Sequence, residues 1–190
     1  MSGKTTLVFK ILENRNQIIN KPIDNVQHIY GIDQKIFHSY SKRNPWIRFE
    51  DELSEEELNN RSLVVFDDKM SSFQGKENSF ITNFVTRAVH HIGCSCIILL
   101  HNVFAPKLRT IALNTTYLIF FKQPRDNSTI SILAKQMFPG QNSFLVEAYK
   151  FCTKDPHSYI FFDLSQIQNE KFRVRNNIFF TDQTYVIVPA

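Results

Sequence analysis

The chain has 190 residues, enough for one globular core, and 43% hydrophobic content with only 5 Gly and 7 Pro excludes a disordered or low-complexity protein. Its 22 Lys and Arg against 18 Asp and Glu give +4, a mild surplus that favours polyanions without naming one. Three cysteines, no cleavable leader and no apolar run of bilayer length fit an intracellular, reducing compartment, not secretion, and exclude a membrane span and a disulfide scaffold.

Helical and strand patterns alternate, which predicts an α/β domain with a mostly parallel, covered sheet. After Gly3, Lys4 and Thr5, the segment from Thr6 to Leu12 reads as a helix and Val26 to Tyr30 as a strand. From Asp33 to Asn60 the chain is polar and irregular, with a strand at Trp46 to Phe49 and a helix start at Ser54, where Ser54 caps and Glu57 completes a capping box. Leu63-Val64-Val65-Phe66, ended by Asp67 and Asp68, has the pattern of a strand buried on both faces. Phe80, Ile81, Phe84, Val85 and Ala88 recur at helical spacing up to Gly93, a C-terminal cap. Strands follow at Ser95 to Leu100 and Tyr117 to Phe121. Then come a helix through Ile130, Leu133, Ala134 and Met137, a helix from Asn142 to Cys152, and a strand at Tyr159 to Leu164.

Ser2-Gly3-Lys4-Thr5, followed by Thr6, is the end of a phosphate-binding loop, in which Lys4 reaches the β- and γ-phosphates of ATP and Thr5 ligates Mg²⁺ at a helix N-terminus. By itself the tetrapeptide is weak, because the full pattern also needs an earlier glycine and a preceding strand. Asp67 and Asp68 supply agreement: a buried strand ending in two carboxylates is what a Walker B element requires. There Asp67 holds Mg²⁺ through water and Asp68 polarises the attacking water as general base. The plain alternative is a strand ending in a turn with Asp as helix cap.

The strand from Ser95 ends in His101 and Asn102, either of which suits a sensor beside the γ-phosphate. Asn102 orients water without changing charge, whereas histidine titrates near neutrality. Arg87, Arg109 and Arg125 are candidates for an arginine finger acting in a neighbouring subunit. His90, His91, Cys94 and Cys96 carry potential zinc ligands but straddle a helix end and a buried strand, which makes tetrahedral closure awkward. Lys171, Arg173 and Arg175 alternate with Phe172 and Val174, so a strand here would place three cations on one face. That face is either a ribbon tracking DNA phosphates or an edge strand guarded by charge.

In order and spacing these stretches resemble the genome-packaging ATPases of the FtsK/HerA superfamily, in the poxvirus-like form also carried by Polinton (Maverick) elements and adintoviruses. The resemblance spans nearly the whole chain: SGKT, LVVFDDKMS, FVTRAVHHIGCSCIILLHNVF, LRTIALNTTYLIFFKQPRD, PHSYIFFDL and FRVRNNIF. It implies a RecA/FtsK-like P-loop NTPase, a three-layer α/β/α domain with a mostly parallel central sheet over residues 1–190, incomplete at its amino end, where the first strand is missing, with a basic strand region at about 158–190. It also implies ATP and Mg²⁺ as cofactors, a hexameric ring, and translocation of double-stranded DNA into a capsid through capsid or portal partners. The expected setting is the site of viral assembly or the virion. The family's usual sensor pair is Gln followed by Asn, and this chain has His101 and Asn102. A different class of reading is a non-catalytic remnant that binds DNA or partners. A P-loop small-molecule kinase is weaker, since no lid or acceptor pocket is evident.

Overall fold

The computed structural model describes residues 3–68, 77–101, 109–126 and 128–189. The chain divides into two compact units, one of residues 1–14 with 115–190 and one of residues 15–114.

The first unit opens with α1 (Lys4–Glu13), which buries Val8, Phe9 and Leu12 along one stripe. Lys10 lies on the opposite, exposed side and ties the helix to the C-terminal segment. Its Nζ meets Asp182 Oδ2 at 2.7 Å and sits 4.1 Å over the Phe179 ring.

The unit of residues 15–114 is a parallel α/β layer structure. It comprises α2 (Arg15–Ile18), β1 (Asn25–Tyr30), α3 (Lys35–Arg43), β2 (Ile47–Glu50), β3 (Ser62–Asp67), α4 (Glu77–Asn83), a π-helical stretch Phe84–Ala88, α5 (Val89–Ile92), β4 (Ser95–Leu99) and α6 (Arg109–Leu113). The strands form one sheet in the order β2-β1-β3-β4, every pair parallel. In that order β1 and β3 are the interior strands, with Val26 opposite Leu63 and Gln27 opposite Val64, and β3 is buried along its whole length.

Helices cover both faces. On one, Phe37 of α3 packs at 5.1 Å from the His28 ring, 5.4 Å from Tyr30 and 4.8 Å from Phe49. On the other, Ile29, Val64 and Phe66 meet Ile81, Phe84 and Val85, with the Phe66 and Phe84 rings 5.6 Å apart edge to face. Burying one such phenylalanine contributes about 2–3 kcal/mol, so this pair anchors the helical layer. Gly93 ends α5 in the left-handed region at φ 74, its N–H bonding Val89 O, the predicted cap.

Two expectations change in this unit. Ser54 and Glu57 form no capping box: residues Glu55–Glu57 make a 3-10 turn and the Ser54 hydroxyl caps nothing there. Instead, fully buried Gln27 accepts from Ser54 N–H and donates to Ser54 C=O, both at 3.0 Å, pinning the polar segment to β1. Glu57 pairs with Arg48 of β2. The helix α3, in the segment that the sequence leaves unread, is the other addition.

The rest of the first unit comprises β5 (Tyr117–Phe121), α7 (Ser128–Met137), α8 (Asn142–Cys152), β6 (Tyr159–Asp163), a 3-10 turn Glu170–Phe172 and β7 (Val174–Arg175). Its sheet, β5-β6-β7, is antiparallel, unlike the parallel pairing that the sequence suggests. Ile130, Leu133 and Ala134 of α7 and Leu145, Ala148 and Cys152 of α8 pack over Ile160 and Phe162 of β6. The start of α7 is secured by Asp126, whose carboxylate accepts from the N–H and hydroxyl groups of Ser128 and Thr129. These bonds hold the Asp126 carboxyl down at about 2.

Candidate active site

The carboxyl ends of β3 and β4 gather the acidic and imidazole groups that the sequence singles out. Asp67 is the last residue of β3, in register with Tyr30 of β1 and only 5% exposed. Its carboxylate is buried, and Oδ2 lies 3.3 Å from Nε2 of His28, a completely buried residue of β1. His28 lies two positions before Tyr30, the residue opposite Asp67, so both side chains share the sheet face covered by α3.

Asp68 then leaves the strand with φ 53, a left-handed backbone that Asp tolerates better than most side chains. The turn carries its carboxylate to the sheet end, where Oδ1 meets His101 Nε2 at 3.0 Å. His101 follows β4, the strand beside β3, so the contact joins two neighbouring strand ends. Both groups are open to solvent, the His101 side chain at 62% and Asp68 at 44%. Thus the structure brings Asp68 and His101 together at neighbouring strand ends. Asn102 and the Arg109 side chain lie outside the described residues, as does Ser2.

Carboxylate oxygens suit a hard cation such as Mg²⁺. Among the described residues no group of three or more His, Cys, Asp and Glu side chains gathers that could hold a metal by itself. Asp67 and Asp68 offer carboxylate oxygens at this strand end.

Lys4, Thr5 and Thr6 occupy the first turn of α1 in the other unit, directly after Gly3 at φ 85. The left-handed backbone angle selects glycine here, while a Cβ at position 3 would stand at ordinary contact distance, 3.4 Å from His157 Cβ and 3.5 Å from Phe121 Cε1. Leu7 N–H bonds Gly3 O at 2.9 Å, and the helix begins without a side-chain cap. Lys4 and Thr5 are half-buried.

The arginines separate by setting. Arg87 is exposed on the π-helical stretch and lines a cleft of about 450 Å³ with Glu55, Asn83, Phe84 and His91. Arg125 is exposed in the turn between β5 and α7.

The basic ribbon is corrected. Asn169 accepts from Lys171 N–H and starts a 3-10 turn, so residues 171–175 are not one strand and do not share a face. Arg173 turns to the carbonyls of Asp163 and Ser165 and to Glu170 at 2.9 Å. Arg175 bonds the buried Asp163 at 3.0 Å and lies over the Phe161 ring. Burial alone would push the Asp163 carboxyl up, but bonds from Ser165 and Gln168 and the Arg175 charge together hold it below the usual carboxylate range. Lys171 is exposed.

His28 is the residue that sequence reasoning missed. The one signal was a polar pair, Gln27-His28, inside an otherwise apolar strand, a pattern that demands buried partners.

These features define an α/β protein with a parallel sheet, paired carboxylates at a strand end, and no described helix long and apolar enough to cross a membrane. Comparison with protein-family models, with curated proteins and with solved structures finds no match.

Proposed function

We propose that the chain is a P-loop nucleoside triphosphatase that hydrolyses ATP with Mg²⁺, of the kind that moves double-stranded DNA into a capsid. One observation carries the reading: consecutive aspartates at the carboxyl end of an interior parallel strand, the second bonded to a side chain from the next strand end. Open α/β sheets bind their ligands at that edge. The SGKT sequence at the opening of α1 supplies the phosphate-binding chemistry that such carboxylates serve.

In this reading the resemblance gives Lys4 the role of meeting the phosphates and Thr5 that of an ion ligand, and it gives Asp67 the role of a residue that would hold the ion through water. Asp68 draws a proton from the attacking water, and His101, on the same carboxylate, sets its direction. Bound Mg²⁺ supplies neutralisation of the phosphate charge. Arg87 and Arg125 are the exposed arginines that suit a finger, with Arg109 a further candidate. Arg173 and Arg175 are engaged within their own unit, so of the three basic residues Lys171 alone is a candidate to face DNA phosphates. Assembly into a ring and capsid or portal partners follow from the resemblance alone.

The test is ATP hydrolysis measured with and without double-stranded DNA, beside Asp68→Asn. DNA-stimulated turnover that falls about 10²- to 10⁴-fold in the variant is expected for loss of a general base. Turnover unchanged by Asp68→Asn would rule out the assignment.

A further inference from the structure

Histidine at position 28 needs a reason. The imidazole is fully buried on an interior strand, with the Phe37 ring at 5.1 Å and the Phe49 ring at 4.9 Å. An aliphatic side chain would fill that slot without the cost, about 1–3 kcal/mol, of withdrawing a polar group from water. What an aliphatic side chain would not do is reach Asp67, whose Oδ2 stands 3.3 Å from Nε2.

We propose that His28 is the positioning residue for Asp67. A carboxylate only accepts, so the proton of this contact sits on Nε2 and the imidazole donates. The two phenyl rings fix the ring plane, the Nε2–H fixes the carboxylate's rotation, and the oxygen that serves the ion is thereby set before any ligand arrives. This arrangement, an outer group orienting an inner one, governs metal affinity in proteins generally. His28 touches neither nucleotide nor ion in this scheme, and it acts only through Asp67. The inference rests on the nucleotide reading above.

The experiment titrates Mg²⁺ into the folded chain with a fluorescent ATP analogue and compares wild type, Asp67→Asn, His28→Gln and His28→Asn. Glutamine carries its amide nitrogen near the position of Nε2, whereas asparagine is too short to reach Asp67. In the wild type Mg²⁺ should tighten analogue binding, and Asp67→Asn should abolish that gain. His28→Asn should raise the Mg²⁺ concentration for half-effect about 10- to 100-fold, leaving metal-free binding unchanged. His28→Gln should remain within about 3-fold of wild type, a span small against that loss. Equal Mg²⁺ dependence in the two His28 variants would overturn the positioning role while sparing the nucleotide reading. No Mg²⁺ effect in wild type, or full effect in Asp67→Asn, would sink the nucleotide reading and the positioning role with it. If His28→Asn does not fold, long-range ¹H–¹⁵N spectra of the wild type decide: a proton on Nε2 is required, and one on Nδ1 alone overturns the proposal.

Discussion

Replacing Arg175 with alanine removes a guanidinium whose Nη2 bonds Asp163 Oδ2 at 3.0 Å and whose carbon lies 4.8 Å from the Phe161 ring centre. A hydrogen bond between charged groups contributes about 1.5–3 kcal/mol, and a partly exposed cation–π contact about 0.5–1 kcal/mol. The Arg175 side chain is 26% exposed, so solvent screens part of the first figure. Asp163 also keeps its bonds from Ser165 and Gln168, so it is not left as a bare buried charge. The expected loss is therefore about 2–3 kcal/mol. Urea unfolding followed by far-ultraviolet circular dichroism measures it, with exposed Lys171→Ala as the control, expected within about 0.5 kcal/mol of wild type. Were Arg175 instead a phosphate contact, its alanine variant would keep wild-type stability and lower the salt slope of DNA binding by about one. A stability change below about 0.5 kcal/mol would refute the structural role.

Phe84→Ala should cost about 3–5 kcal/mol, since the ring is 2% exposed and packs against Phe66, and an intact denaturation midpoint would contradict that packing. Asp126→Ala should cost about 1 kcal/mol by removing the bonds at the start of α7. Because the folded carboxyl sits at about 2 against an ordinary 3.8, Asp126's contribution is present above pH 4 and fades as pH falls towards 2. The wild type and the alanine variant should therefore converge in stability in acid, and a gap that persists at pH 2 would count against the capping role. Cys152 is 6% exposed and burial pushes its thiol up to about 12, so a thiol reagent at pH 8 should label it only after denaturant is added.

Strands such as Leu63 to Phe66 and Tyr159 to Phe162 are legible because each is a short apolar run. The helix α8 was legible to the residue, from Asn142 to Cys152. By contrast α3 buries only Phe37 and Tyr40 among Lys35, His38, Ser41, Lys42 and Arg43, too few apolar positions to mark a helical stripe. The cation alternation at 171–175 misled because its decisive partners, Asn169 and Asp163, act through a side-chain turn and a long-range ion pair that period-2 reasoning does not contain. At the candidate site Asp67, Asp68 and His101 could be named from their places after apolar strands. That Asp67 faces a buried imidazole depends on the register of β1 against β3, which no local pattern specifies.

The backbone at position 68 also limits which acid can stand there. At φ 53 a longer side chain loses the local hydrogen bonding that lets Asp and Asn occupy this region, at about 1–2 kcal/mol. A glutamate would reach one methylene further but would bear that cost in the turn. Reach and strain thus oppose each other at this corner, and the shorter acid is the one the turn accommodates.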